Sequence, residues 1–327
     1  MIAATPPPFD PELAPALEAI SGGPLSGGTF TADMITVLRA GTAARTPPVT
    51  DDDLRRGGAF EISTWHVPGP EGAPDVPLLI CRPARTPGPV PAVYHIHGGG
   101  MIMGDNRTGI TGMLDLAEKF TLTVVSVDYR LAPETPHPGP AEDCYAGLTW
   151  TAKNAAELGI DAERIVVAGG SAGGGLSAAT ALMARDRGAP AVAGQLLLSP
   201  MLDDRNDTPS AVQMAGLGVW DRGVNEVGWT ALLGDARGGP DVPAYAAPAR
   251  ASDLSGLPPA YIDVGSAETF RDEAVTYASR IWQAGGDAEL HVWPGGFHAF
   301  TGFAPKAALS KDATAAPAAW LHRLLRR

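Results

Sequence analysis

From Phe60 onward the chain alternates between two kinds of hydrophobic pattern. Phe60–Val67 and Val76–Arg82 are strand-like stretches joined by a Pro/Gly-rich turn, which predicts an antiparallel edge hairpin. Short, nearly continuous apolar runs follow: Ala92–Ile96, Thr123–Val127, Ile165–Ala168, Gln195–Leu198, Ala260–Val264 and Glu289–Trp293. Runs without polar alternation fit strands covered on both faces, as in a parallel sheet. Between them lie helix-like stretches at Met113–Phe120, Ala141–Asn154, Gly174–Arg185 and Asp272–Ala284. Strands and helices in alternation over one long domain predict a mostly parallel central sheet flanked by helices, an α/β class. In such sheets the active residues gather at the carboxyl ends of the strands.

Two regions break this rhythm. The first is N-terminal: an arm with Pro6-Pro7-Pro8, a short helix over Glu12–Ile20, a second helix over Ala32–Ala40, and a break at Thr46-Pro47-Pro48. The second is the long segment Met201–Arg250 between two strands. Inter-strand segments of that length tend to be lids or binding loops, so both regions are expected to form a helical cap. The expected division is a cap segment over 1–50, core over 51–200, a cap insertion over 201–250 and core again over 251–327.

Composition narrows the class. With 327 residues, 45% of them hydrophobic, the chain can bury a large core despite its 40 Gly and 31 Pro. The formal net charge of -12 disfavours nucleic acid and anionic membranes as partners and leaves a small molecule. The two cysteines, Cys81 and Cys144, have no metal-ligand spacing and are expected as free thiols in a reducing cytoplasm. Met1–Asp10 lacks the basic and apolar regions of a secretory signal, and no apolar stretch of about 18 residues suggests a membrane span.

Four elements carry chemistry. Gly169-Gly170-Ser171-Ala172-Gly173 stands between a predicted strand and a predicted helix. A nucleophile on such a tight turn needs glycines beside it, and the helix N-terminus stabilises developing negative charge. Ser171 is therefore the candidate nucleophile. His97-Gly98-Gly99-Gly100 follows another strand, and consecutive glycines let backbone N–H groups face a site, as an oxyanion hole requires. The absence of a Lys-Ser/Thr pair after them argues against a phosphate loop. A general base must follow Ser171 and reach it from a loop. His298, after Pro294-Gly295-Gly296-Phe297, has that position, whereas His291 lies in a strand pattern and His322 in the terminal helix. The orienting acid is expected after the strand Ala260–Val264: Glu268 comes first, Asp272 is the runner-up, Glu273 follows, and Asp263 falls inside the strand.

These stretches resemble the bacterial hormone-sensitive-lipase family of esterases. His97–Gly100, Asp128-Tyr129-Arg130-Leu131-Ala132-Pro133-Glu134 and Gly169–Gly173 match that family's motifs in order and spacing, over roughly Phe60 to the C-terminus. The resemblance implies an α/β-hydrolase fold with a helical cap, and oxyanion-hole N–H groups from Gly99, Gly100 and Ala172. The chain departs from the family at Gly170, where a polar or acidic residue is usual. It departs again at Glu268-Thr269-Phe270-Arg271-Asp272-Glu273, where Asp-Pro-Leu-Arg-Asp-Glu is usual.

The remaining residues receive structural roles. Asp128, Arg130, Glu134 and Asp143 are expected in one buried polar network, and His95 in the interior. Met101, Ile102 and Met103 are candidates for lining the acyl pocket, which Trp220 would close, with core packing as the alternative. The expected activity is hydrolysis of short- to medium-chain carboxylic esters through an acyl-enzyme, with neither metal nor cofactor. An amidase, lactonase or acyltransferase on the same triad is the first alternative, and a non-catalytic receptor of the same fold the second. A homodimer is compatible with this reading.

Overall fold

The computed structural model describes residues 5–20, 30–45 and 48–326; Thr46 and Pro47 of the expected chain break lie outside them. Eight strands form one sheet in the order β1-β2-β4-β3-β5-β6-β7-β8. They are β1 (Phe60–Val67), β2 (Val76–Pro83), β3 (Val90–Ile96), β4 (Thr123–Val127), β5 (Ile160–Gly170), β6 (Gly194–Leu198), β7 (Ala260–Gly265) and β8 (Ala288–Trp293). β1 and β2 pair antiparallel as the hairpin pattern predicts, β2 pairs antiparallel with β4, and all later pairs are parallel.

The apolar runs explain this layout. β3 and β4 are buried at every residue, whereas β1 is buried only at its two ends, Phe60 and Val67, and β8, at the far edge, is half-buried. Successive side chains of a strand point to opposite faces, so each run feeds two cores. Tyr94, Val125, Val167, Leu197 and Ile262 pack on one face, and their neighbours Val93, Val124, Val166, Leu196 and Tyr261 on the other. β5 starts earlier than its apolar run because Ile160 reaches back to pair with Val90, across a register shift.

Twelve α-helices run in chain order among the described residues: α1 (Ala14–Ile20), α2 (Ile35–Arg45), α3 (Asp51–Arg55), α4 (Ile110–Phe120), α5 (Gly139–Lys153), α6 (Ala155–Leu158), α7 (Ala172–Arg187), α8 (Pro209–Gln213), α9 (Arg222–Leu233), α10 (Arg271–Gln283), α11 (Phe300–Phe303) and α12 (Ala308–Leu324). Leu148 of α5, Leu182 of α7 and Ile281 of α10 cover the first face; Ile110 and Leu114 of α4 and Leu321 of α12 cover the second. None of the described helices is long and apolar enough to cross a membrane.

The two irregular regions touch the loops at the strand ends. Leu13, fully buried, packs with Phe297 and Phe300, and the Asp10 N–H donates to Gly295 O at 3.0 Å. α2 buries Ile35 and Leu38 in the first core, and α9 buries Val224, Trp229 and Leu232 there. Both cysteines are buried and unpaired, and burial pushes the Cys81 thiol up to about 12.

Candidate active site

Ser171 stands between β5 and α7, where the chain reverses from strand to helix. Its backbone adopts φ 57° and ψ -125°, a conformation that strains a side-chain-bearing residue. Main-chain hydrogen bonds hold it there: the Ser171 N–H donates to Leu198 O at 2.8 Å, and Ser171 O accepts from Gly175 N at 3.1 Å and Met201 N at 3.0 Å. The turn is tight enough to exclude a side chain at 173, where an added Cβ would lie 2.0 Å from Ile96 O and 2.6 Å from His97 O. Position 170 is different. A Cβ there would meet nothing nearer than Leu198 O at 3.7 Å, so the family's larger residue is a matter of choice at this point of the turn.

His298 follows β8 in a short loop and is buried. Its Nε2 lies 3.0 Å from Ser171 Oγ and its Nδ1 lies 3.1 Å from Glu268 Oε1. Phe270 meets the imidazole edge-on at 5.1 Å between ring centres, which fixes the ring plane. Glu268, after β7, is buried; its second oxygen, Oε2, accepts from Ser199 Oγ at 3.1 Å and Gly265 N at 3.2 Å. The longer side chain thus reaches His298 with one oxygen and is anchored by the other.

The rejected partners are occupied elsewhere. Asp272 Oδ2 accepts from Ser210 N at 2.7 Å, and its Oδ1 accepts from Arg271 Nε at 2.7 Å. Glu273 accepts from Leu202 N at 2.7 Å, and burial raises its pKa well above the usual range. His291 contacts Glu289 at 2.9 Å and stacks on Trp293, and His322 stacks on Phe120. Asp263 is buried beside the acid loop, accepting from Trp293 Nε1 at 3.2 Å and from Ser199 N at 3.3 Å. Burial pushes its carboxyl up to about 7, and the neighbouring Glu268 adds to the rise.

The glycine loop after β3 lies against the elbow: a Cβ on Gly98 would be 3.5 Å from Ser171 Cβ. His97 is fully buried and stacks on Tyr129 with ring centres 4.1 Å apart, while Tyr129 Oη donates to His97 O at 2.9 Å. Burial lowers the His97 pKa to about 4, so this ring is neutral and structural. Met101 and Ile102 are buried in the first core, and the Trp220 ring lies directly on Gly100, where a Cβ would sit 2.2 Å from Trp220 Cη2. His95 is buried and contacts Ser126 Oγ at 2.8 Å.

One expectation needs correction. Of the four charged residues of the expected network only Arg130 and Asp143 pair with each other; Glu134 and Asp128 go elsewhere. Arg130 binds Asp143 through both side-chain oxygens at 2.7 Å, Glu134 turns outward to Arg39 at 2.7 Å, and Asp128 is raised to about 6 by burial and by Asp105. Arg39 comes from the N-terminal region, so no local pattern around residue 134 announced it.

Three further residues join the site without a sequence signal: Ser199, through Glu268; Thr269, whose Oγ1 donates to Trp220 O at 2.7 Å; and Arg39. A cleft of about 610 Å³ between the insertion and α10, lined by residues including Asp203, Arg205, Tyr277 and Arg280, includes none of the residues that meet at Ser171.

Comparison with known proteins agrees with this fold. A family described as alpha/beta hydrolase fold matches residues 93–302. Carboxylesterase NlhH of Mycobacterium tuberculosis is 38% identical over 301 residues, covering 91% of this chain and 92% of its own. Among solved structures, a bacterial heroin esterase superimposes with a TM-score of 0.88 at 38% identity, covering 98% of both chains. Esterase LipW from Mycobacterium marinum does so with a TM-score of 0.85 at 33% identity, covering 100% of both.

Proposed function

The chain belongs to the hormone-sensitive-lipase-like family of α/β hydrolases and is a carboxylesterase; from that premise we propose that it hydrolyses short- to medium-chain esters through an acyl-enzyme on Ser171, His298 and Glu268. The observation that carries the proposal is the continuous contact from Ser171 Oγ to His298 Nε2 at 3.0 Å and from His298 Nδ1 to Glu268 Oε1 at 3.1 Å. Those are the distances a general base and its orienting acid require.

In the proposed reaction His298 takes the Ser171 proton as Oγ attacks the ester carbonyl. The oxyanion is stabilised by the N–H groups of Gly99, Gly100 and Ala172, and the last of these begins α7, whose N-terminus also favours negative charge. His298 returns the proton to the leaving alcohol, and water repeats the sequence on the acyl-enzyme. Glu268 keeps the imidazole in the tautomer with Nδ1 protonated and balances the imidazolium. Trp220 on Gly100 supports an acyl pocket of limited depth, walled also by Met101 and Ile102. The cap is proposed to comprise 1–50 and 201–250, because Leu13 packs on the His298 loop and Trp220 on the glycine loop. The net charge of -12 favours a small-molecule ester over nucleic acid, and the buried unpaired cysteines suit a reducing cytoplasm.

The test is a series of p-nitrophenyl esters from acetate to palmitate beside matching anilides, with fluorophosphonate labelling of wild type and Ser171→Ala. Turnover should be greatest on the shorter esters and absent, with the label, in the variant. Labelling of another residue would remove Ser171 from its role, and faster turnover of the anilides would make the enzyme an amidase.

A further inference from the structure

We propose that Arg39, on α2, is a positioning residue for the oxyanion hole. The inference rests on the assignment above of Ser171 as nucleophile and of Gly99 and Gly100 as donors. The glycine loop closes as a turn in which Gly99 O accepts from Ile102 N at 3.0 Å and Met103 N at 3.1 Å. The Gly99 carbonyl and the Gly100 N–H belong to one planar trans peptide and point in opposite directions. Whatever holds residues 99 to 103 therefore aims the Gly100 N–H.

Arg39 holds them. Its Nε donates to Ile102 O at 2.6 Å, and one Nη donates to Ala132 O at 2.7 Å. The Ala132 N–H in turn donates to Met101 O at 2.9 Å, so the guanidinium fastens two loops that are already stapled to each other. Both guanidinium Nη atoms also reach Glu134, at 2.7 and 2.9 Å, and Arg39 pulls the Glu134 carboxyl below its usual range. A planar fork with donors in fixed directions meets these three groups at once; an ammonium does not. Glu134 is 62% exposed, so the ion pair orients the fork weakly and the two carbonyl contacts carry the clamp.

The arrangement gives the N-terminal region a chemical task. The loop that presents the oxyanion donors is completed by a side chain 63 residues upstream of Ile102, and it is fully braced only when α2 is seated.

Arg39→Ala, Arg39→Lys and Glu134→Gln would be compared with wild type for kcat and KM on p-nitrophenyl butyrate, for thermal midpoint, and for inhibition by an alkyl trifluoromethyl ketone. That inhibitor takes Ser171 Oγ at its carbonyl carbon, passes the serine proton to His298 and leaves the oxyanion in the hole. Arg39→Ala should lower kcat roughly 10- to 100-fold, less than the ~10²–10³ of deleting a donor outright, with KM nearly unchanged. Inhibitor affinity should fall by the same factor, and added ethylguanidinium should restore part of both. Arg39→Lys should fall between, and Glu134→Gln should lose less than about five-fold. Wild-type kcat in Arg39→Ala, a kcat loss without the matching loss of inhibitor affinity, or equal damage from Glu134→Gln would each overturn the clamp. If Arg39→Ala does not fold, full kcat in Arg39→Lys overturns it as well. Fluorophosphonate labelling of wild type separates the two levels: a label away from Ser171 refutes the catalytic assignment, whereas a label on Ser171 with a fully active Arg39→Ala refutes only the role of Arg39.

Discussion

The nucleophile elbow and the acid loop sit at the carboxyl ends of β5 and β7, with β6 between them, and side chains take a different share in holding each. At the elbow the main chain does the holding: Ser171 N and O bond to Leu198, Gly175 and Met201, and position 173 has no room for a side chain. At the acid loop main-chain bonds, from Ser266 N–H to Trp293 O at 2.8 Å and from Ala267 N–H to Gly296 O at 3.0 Å, are joined by side-chain ones. Glu268 is fixed by Ser199 and Gly265, Thr269 by its hydroxyl to Trp220 O, and Arg271 by its donation to Ser266 O at 3.0 Å. Within the elbow the main chain leaves room for added atoms at position 170 and none at position 173. The acid loop reads Glu268 and Thr269 where the family it resembles usually has Asp and Pro, and each of the two side chains has its own partner here.

The largest expected effect tests the side-chain end of that contrast. Glu268→Ala should lower kcat by roughly 10⁴-fold while the thermal midpoint stays close to wild type, and Asp272→Ala should do the reverse. Steady-state kinetics beside a melting curve decides it; the opposite pattern would transfer the acid's role to Asp272. Next, at the backbone end, Gly173→Ala should cost about 1–3 kcal/mol of stability and most of the activity, because its Cβ cannot avoid Ile96 O. Gly170→Ala is the control, expected within about 0.5 kcal/mol of wild type by urea denaturation. A Gly173→Ala protein as stable as Gly170→Ala would mean the elbow is looser than its contacts imply.

The effect smallest per unit of change is electrostatic and belongs to Asp263, at the end of β7 beside the acid loop. Asp263 has its folded pKa raised to about 7 from 3.8. The folded protein therefore holds that proton where the unfolded chain has released it, and stability falls as pH rises through this window, then levels off. The contribution is at most about 1.4 kcal/mol per pH unit. Asp263→Asn should remove that slope, so relative to wild type it gains stability between about pH 4.5 and about pH 7.5. Equal slopes in the two proteins would show that Asp263 is not the titrating group.

Legibility follows the same division. The elbow and the glycine loop were readable because their requirements are local: a strand, a glycine-lined turn, then a helix or another turn. Glu268 was readable over Asp272 by its distance from β7, and the structure gives the reason, since Asp272 is turned to Ser210 at the start of α8. Ser199 and Thr269 were not readable. Their partners, Glu268 and Trp220, are 69 and 49 residues away, and nothing in the composition around either residue marks the pairing. The expected single network around Arg130 failed for a related reason: Glu134 lies near Arg130 in sequence but is drawn to Arg39, 95 residues away.

By itself, then, the order of residues determined the eight strands, the two faces of their core, and the positions where Ser171 and His298 leave the sheet. Those depend on period, turn chemistry and chain direction, which act over a few residues at a time. Only the tertiary structure decided which side chains brace the site: Ser199 behind Glu268, Trp220 over Gly100, Arg39 on the carbonyl of Ile102. A hydrogen bond is made within about 3 Å in space and is indifferent to separation along the chain, so its partner is known only once the sheet has brought the loops together.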